Sequence, residues 1–211
     1  MSVSTAKETI LKSIRQALAH PVPVPFPQSE GNNSVFQPSE KELEVEFAEN
    51  FTGLLGRFSF CESKEELVTQ LKQLIEAHKL KNIFCTEHQL KTSLQTAGFA
   101  NNYSDDLKAC NASITTCECL VARTGSILLS SSTESGRTVS VYAPIHICIA
   151  FSHQLVYDIK DALQLVKDKY AGKLPSLISL ATGPSRTADI EKTLVVGVHG
   201  PKEVYVFLVE E

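Results

Sequence analysis

No apolar run in this 211-residue chain approaches the ~20 residues that a helix needs to cross a bilayer, so no membrane span is expected. The opening MSVSTAKETILKSIRQALAH lacks the uninterrupted apolar core of a signal peptide, and the expected location is the cytoplasm. Positive charge is not in excess. Twenty Lys and Arg stand against 24 Asp and Glu, for a net charge of −4, and no basic stripe is visible, so nucleic acid is not an expected partner. Signatures that spacing alone would reveal are also missing. There is no P-loop, Rossmann glycine fingerprint, HExxH or Ser-His-Asp order.

Cysteine is present without the spacing of a metal site. Cys61, Cys85 and Cys148 lie in apolar, strand-like runs and read as small buried hydrophobes. Cys110 stands alone. Cys117-Glu-Cys119 is a CxC pair, but no second pair and no CxxC accompanies it, whereas zinc and iron–sulfur sites call for about four ligands at recognisable spacings. Core thiols are the expectation, with no metal or cofactor bound by this chain.

What the chain does have is 43% hydrophobic and 21% charged residues, enough apolar surface for a sizeable core. Three segments are expected. Residues 1–20 read as an amphipathic helix, with Ile10, Leu11, Ile14, Ala17 and Leu18 at helical spacing behind a Thr5–Glu8 capping box. Residues 21–38 begin with PVPVPFP and form an extended proline-rich linker. Residues 39–211 make the globular domain.

Within that domain, capping boxes at Ser39–Glu42, Ser63–Glu66 and Thr86–Gln89 each open a helical stripe. Phe58–Cys61 and Asn82–Cys85 are short strands between them. Strand and helix alternating at this interval predict a parallel α/β sheet with covering helices. Ile114–Ala122 is compatible with strand or helical turn. Thr124–Leu129 reads as a strand, Ser130–Gly136 as a serine-rich loop, and Val139–Tyr142 and Ile145–Phe151 as two strands joined by Ala143-Pro144. That arrangement predicts a mixed, mostly parallel sheet. Gln154–Tyr170 reads as one helix, and Leu177–Ala181 and Val204–Val209 as strands.

Between the last two strands stand two Gly-Pro turns, Gly183-Pro184 and Gly200-Pro201, around Ser185, Arg186, Thr187, Asp189 and Glu191. A strand leading through Gly-Pro-Ser-Arg into a helix start at Thr187–Asp189 suits an anion, because unpaired amides and a guanidinium converge there. The same residues also suit a plain turn with a helix cap. Thr124-Gly125-Ser126 offers hydroxyls beside a glycine that lets a ligand approach, and Arg137 is a candidate clamp for a carboxylate or phosphate. His199 sits on the tight Gly197–Pro201 turn, and is expected with Thr124–Ser126 to face one cleft from neighbouring strand ends. His146, inside an apolar strand, reads as a hydrogen-bonded core residue. No catalytic residue follows from the pattern.

GPSRTADIE followed by GVHGP, with TGSILL, Arg137 and APIHI upstream, resembles the LUD domain family, to which the bacterial lactate utilization proteins of the C type belong. The resemblance is strongest over 119–208. It implies a three-layer α/β/α fold of the NagB/RpiA/CoA-transferase-like group. It further implies a subunit that acts with iron–sulfur partner proteins in oxidation of L-lactate to pyruvate, the clusters belonging to those partners. Arg123 departs from the acidic residue usual before the family's Thr-Gly, which reverses a charge near the expected site. The residues leave two other functions open: a self-sufficient isomerase or acyl transferase for a phosphorylated or carboxylated metabolite, and a sensor of a small anionic metabolite.

Overall fold

The structure, a computed structural model, describes residues 6–19, 39, 41–100, 103–188 and 194–210. The chain divides into two units, Met1–Gln37 and Pro38–Glu211. The first contains α1 (Ala6–Ala19), where helical spacing places it; Thr5 and the proline-rich segment lie outside the described residues.

The second unit begins with α2 (Leu43–Gly53), β1 (Arg57–Cys61), α3 (Lys64–His78), β2 (Ile83–Phe84), α4 (His88–Thr96) and β3 (Tyr103–Ser104). It continues through β4 (Ala112–Thr115), β5 (Cys119–Val121), β6 (Ser126–Ser130), the one-turn α5 (Val139–Tyr142) and β7 (Ile145–Phe151). The remainder is β8 (Leu155–Val156), α6 (Ile159–Lys169), β9 (Ile178–Ala181), β10 (Arg186–Ala188), β11 (Leu194–Val196) and β12 (Glu203–Val209).

Six strands pair in the order β1-β12-β7-β4-β2-β3, and every neighbouring pair is parallel. The two faces of this central sheet are read directly from the alternation in β7, IHICIAF. Ile145, Ile147 and Ile149 join Leu67, Val68 and Leu71 of α3 and Leu90 and Leu94 of α4 in one core. Cys148 and Ala150 turn the other way, onto Phe47 and Phe51 of α2 and Leu120 and Ile127 of the second sheet. Strands buried on both faces carry near-continuous apolar runs, as β7 and β12 do. The second sheet, β8-β5-β6-β9, lies under this face and is covered in turn by Ala162 and Val166 of α6. The outcome is a parallel central sheet with helices on both sides. The antiparallel pairs lie outside it, where β6 pairs with β5 and β9 and where β10 pairs with β11.

Glu118 holds the two sheets and α6 together at the crossing from β4 to β5. Its side chain is wholly buried, and it accepts hydrogen bonds from Lys169 Nζ (2.7 Å), Tyr170 Oη (2.7 Å) and Ser130 Oγ. Burial alone would raise the carboxyl's pKa. The bonds from Lys169, Ser130 and Tyr170 outweigh it and bring the value below the ordinary one.

Several expected boundaries move. Ser39 does not cap α2; its Oγ accepts from the Lys41 amide at 3.0 Å and the helix starts at Leu43. Thr86 does not cap α4, whose first amide, on His88, is taken by Glu134 Oε2 at 2.6 Å. Ser63 does cap α3, accepting from the Glu66 amide at 3.2 Å. Val139–Tyr142 is a helical turn rather than a strand, because the Val141 and Tyr142 amides both close onto Thr138 O. The strand propensity of two valines and a tyrosine yields to that local closure. The ambiguous 114–122 segment holds the end of β4, a connection and β5. The helix expected from Gln154 begins only at Ile159, after β8, where Asp158 and Asp161 form a capping box.

Two outcomes follow. Gly125 has φ +56° and faces the α2 backbone, where an added Cβ would lie 2.5 Å from Phe51 N; Gly136 has φ +61° but nothing within 4 Å. Gly136→Ala should cost about 1–2 kcal/mol from backbone strain alone, and Gly125→Ala about 1–3 kcal/mol more from the clash, read from urea unfolding midpoints. Glu118→Gln should lower stability by about 1.5–3 kcal/mol at neutral pH. Because the folded-state pKa of Glu118 is depressed, its contribution is complete above the unfolded value and lost as pH falls through the folded one. The gap between parent and variant should therefore be constant above about pH 5.5 and narrow on acidification.

Candidate functional site

The two Gly-Pro turns meet. Ser185 donates its amide to Pro201 O at 2.9 Å and accepts the Gly197 amide on its carbonyl at 2.9 Å. Gly200 approaches so closely that a Cβ there would stand 2.9 Å from Ser185 Cβ. Gly183, at φ +80°, faces the Leu54 carbonyl, 2.5 Å from where a Cβ would be. The turns are thus clamped to each other and to the end of α2.

Beside them is a cleft of about 220 Å³ lined by Gly183, Ser185, His199 and Gly200, with Leu180 of β9, Val141 of α5 and His146 of β7. It lies where β7 and β12 begin, since His146 and Val204 are each second in their strands. The expected likeness to open α/β sheets, whose ligands sit beyond the carboxyl ends of strands, therefore fails here. The hairpin and the 197–201 turn build their concavity at the amino ends instead.

The expected helix start after Ser185 is also corrected. Residues 186–188 form β10, antiparallel to β11, with Arg186 opposite Val196 and Ala188 opposite Leu194. Cross-strand pairing with the run Leu194–Val196, two of whose residues are β-branched valines, takes up the backbone groups that a helix would have left for an anion. Arg186 is exposed on this hairpin and is not among the residues lining the cleft. Of Thr187 only the strand pairing is described, and Asp189 and Glu191 lie outside the described residues.

Thr124 and Ser126 form a ladder of hydroxyls that ends on Thr182. Thr124 Oγ1 and Ser126 Oγ are 2.8 Å apart, as are Ser126 Oγ and Thr182 Oγ1. The ladder abuts Gly183, one residue from the cleft. Gly125 admits the α2 backbone. Arg137 is tied elsewhere: its Nη2 donates to Ser176 Oγ at 2.5 Å, beyond the opposite end of β9. The strand β6 alone, from Ser126 to Ser130, separates these groups by about 13 Å at ~3.4 Å per residue. Arg123 is turned from the cleft question altogether. Its Nε and Nη2 bind both oxygens of Asp158 at 2.8 and 3.2 Å, and this pairing holds the Asp158 carboxyl below its usual range.

His146 is the residue whose position the pattern did not convey. It is 1% exposed, its Nε2 lies 2.9 Å from Thr115 Oγ1, and burial pushes its pKa down to about 4, so it is a neutral imidazole. It is the hydrogen-bonded core histidine expected, and it also floors the cleft. An imidazole in an otherwise apolar strand, directly after Ala143-Pro144, was the available signal.

A second polar cluster occupies the carboxyl ends of β2 and β4. Buried Glu87 accepts from the Thr116 amide (3.1 Å), Thr116 Oγ1 (2.5 Å) and Ser135 Oγ (2.6 Å). Together with the Glu118–Ser130 bond it fixes both ends of the serine-rich loop. Its hydrogen bonds are spent on Thr116 and on that loop, so it is structural. All six cysteines are buried free thiols. Cys117 and Cys119 pack in different core clusters, and burial drives the Cys119 thiol up to about 12.

The Arg123–Asp158 pair should behave as a stabilising contact at the head of α6. Alanine at each position, and at both, should give a coupling of about 1–2 kcal/mol in a double-mutant cycle of unfolding free energies. Additive losses would show that the two side chains act separately.

The family model described as the LUD domain matches residues 45–209. The chain is 39% identical over 103 residues to the lactate utilization protein C of Bacillus licheniformis, covering 48% of this chain and 43% of that protein. With the lactate utilization protein C of Oceanobacillus iheyensis it is 26% identical over 167 residues, 70% of this chain and 72% of the relative. In the first of these matches the chain spans less than half the relative's length. A crystal structure of a DUF162 family protein from Deinococcus radiodurans has a TM-score of 0.58 at 19% identity, over 79% of this chain and 96% of that one, a likeness of fold alone. With the family model covering the central sheet, both flanking layers and the clamped Gly-Pro turns, the chain belongs to the LUD domain family.

Proposed function

We propose that this protein is a lactate utilization protein C-like subunit that binds a small carboxylate in the cleft between the Gly-Pro turns and acts with iron–sulfur partner proteins in oxidation of L-lactate to pyruvate. That reaction removes two electrons and two protons from lactate. The electrons pass to the clusters of the partners, and this chain's part is to hold the acid. The names of the relatives at 26–39% identity support the assignment to lactate use.

The observation that carries the binding role is the cleft itself. At about 220 Å³ it falls below the ~300–1,000 Å³ of sites for drug-sized ligands, and suits an acid of a few heavy atoms. His199 is exposed and lines the cleft, where its imidazole N–H can donate to an acid, and Ser185 supplies a hydroxyl beside it. Leu180 and Val141 offer apolar surface for the ligand's carbon skeleton.

Tagged chain captured from cells of the native organism growing on L-lactate should retain proteins that contain iron–sulfur clusters, identified by mass spectrometry and by iron and acid-labile sulfide. Oxidation of L-lactate by the isolated chain, with no such proteins captured, would contradict the reading. In calorimetric titrations with L-lactate, His199→Ala should weaken binding by about tenfold, the scale of one charge-assisted hydrogen bond. Unchanged affinity would place the carboxylate elsewhere.

A further inference from the structure

His146 and Ser113 stand side by side on neighbouring strands, paired in register in the parallel sheet and turned to the same face. Adjacent strands are ~4.8 Å apart, so the two side chains can reach one common group. Both are buried, at 1% and 0% exposure. His146 uses Nε2 on Thr115, and among the described residues its Nδ1 has no partner. Ser113 Oγ has none either. Buried polar atoms are almost always hydrogen-bonded, so the unmet Ser113 hydroxyl, paired beside the histidine that floors the cleft, calls for a group that meets it. The cleft reaches His146 directly.

The electrical character of the two ends differs. Burial keeps the floor imidazole neutral. The ionisable residues lining the cleft are His146 and His199, and no lysine, arginine or carboxylate joins them among the described lining residues. A carboxylate pushed to the floor would be buried without a cation, at a cost of several kcal/mol. At the mouth the same group keeps contact with solvent, His199 and Ser185. A hydroxyl suits the floor: it donates and accepts at once, and so satisfies His146 Nδ1 in either tautomer.

Resting on the carboxylate-binding reading above, we infer that the cleft is polarised. It takes the carboxylate of its ligand outward, at His199 and Ser185, and a hydroxyl inward, against His146 and Ser113. The ligand class is thereby narrowed to short hydroxy acids, and His146 becomes the residue that distinguishes them from unsubstituted acids. It is a specificity residue, acting through one hydrogen bond. A site that hydrogen-bonds a ligand hydroxyl rejects the analogue lacking it, because its own polar group is then left unpaired.

The test is calorimetric titration of the full chain with L-lactate and with propionate, which has the same carbon skeleton and no hydroxyl. L-Lactate should bind tighter by about tenfold or more. In His146→Leu the preference should fall to within about threefold while propionate affinity holds, because the carboxylate end is untouched. Should that variant not fold, Ser113→Ala provides the same comparison with one atom removed, and a reduced ratio is again expected. Equal binding of the two acids by the parent chain would overturn the inference and leave the carboxylate cleft standing. Preference for lactate that survives both substitutions would also overturn it. Binding of neither acid would overturn the carboxylate reading itself, and this inference with it.

Discussion

A single buried carboxylate has to be satisfied for the layers of this protein to stack as they do. Glu118 sits where the chain leaves the central sheet for the smaller one, and its side chain has no contact with solvent. Left alone there it would cost several kcal/mol or take up a proton. It stays charged because three side chains converge on it: Ser130 from the end of β6, and Lys169 and Tyr170 from the end of α6. Each bond also fixes geometry. The β6 end sets the pairing of β9, and β9 forms one wall of the cleft. Lys169 remains half exposed, so the pair exchanges only part of its hydration for the bond.

The cleft depends on a second constraint, the close approach of backbones at glycine. Gly125 lets the α2 backbone reach the turn before β6, and Gly183 lets the Leu54 carbonyl reach the turn after β9. Both contacts anchor the same helix end to one end of the antiparallel β6–β9 pair, where β6 begins and β9 stops. Ser185 then locks the hairpin to the 197–201 turn through two backbone bonds. A binding surface supported in this way is made mostly of main chain. That explains why Arg137, which looks functional in the sequence, is spent on holding a loop in place, as Arg123 is on Asp158.

Much of the fold was legible because its signals are local or periodic. The Ser63–Glu66 box caps α3, the alternating IHICIAF run becomes a strand buried on both faces, and β1-α3-β2-α4 yields the parallel arrangement. What escaped was set by closures that residue type does not encode. Val139–Tyr142 has strand-like residues but closes locally on Thr138, and Arg186 enters a hairpin because Val196 lies opposite it. The two Gly-Pro motifs were recognisable as a pair. Their position at the amino ends of β7 and β12 was not, since sequence order carries no record of which end of a sheet a turn will cover. His146 looked like a core residue and is one; that it also floors a cleft depends on β9 and the 197–201 turn, far from it in the chain.

The histidine rings report on the proposed cleft most directly. Nitrogen-15 NMR of the side chains of His146 and His199, followed during titration with L-lactate, observes its floor and its mouth at once. The account predicts that both rings shift along one saturating curve, with His146 remaining in its neutral form throughout. Saturable binding that leaves both rings unmoved would contradict it, because the acid would then occupy some other part of the molecule.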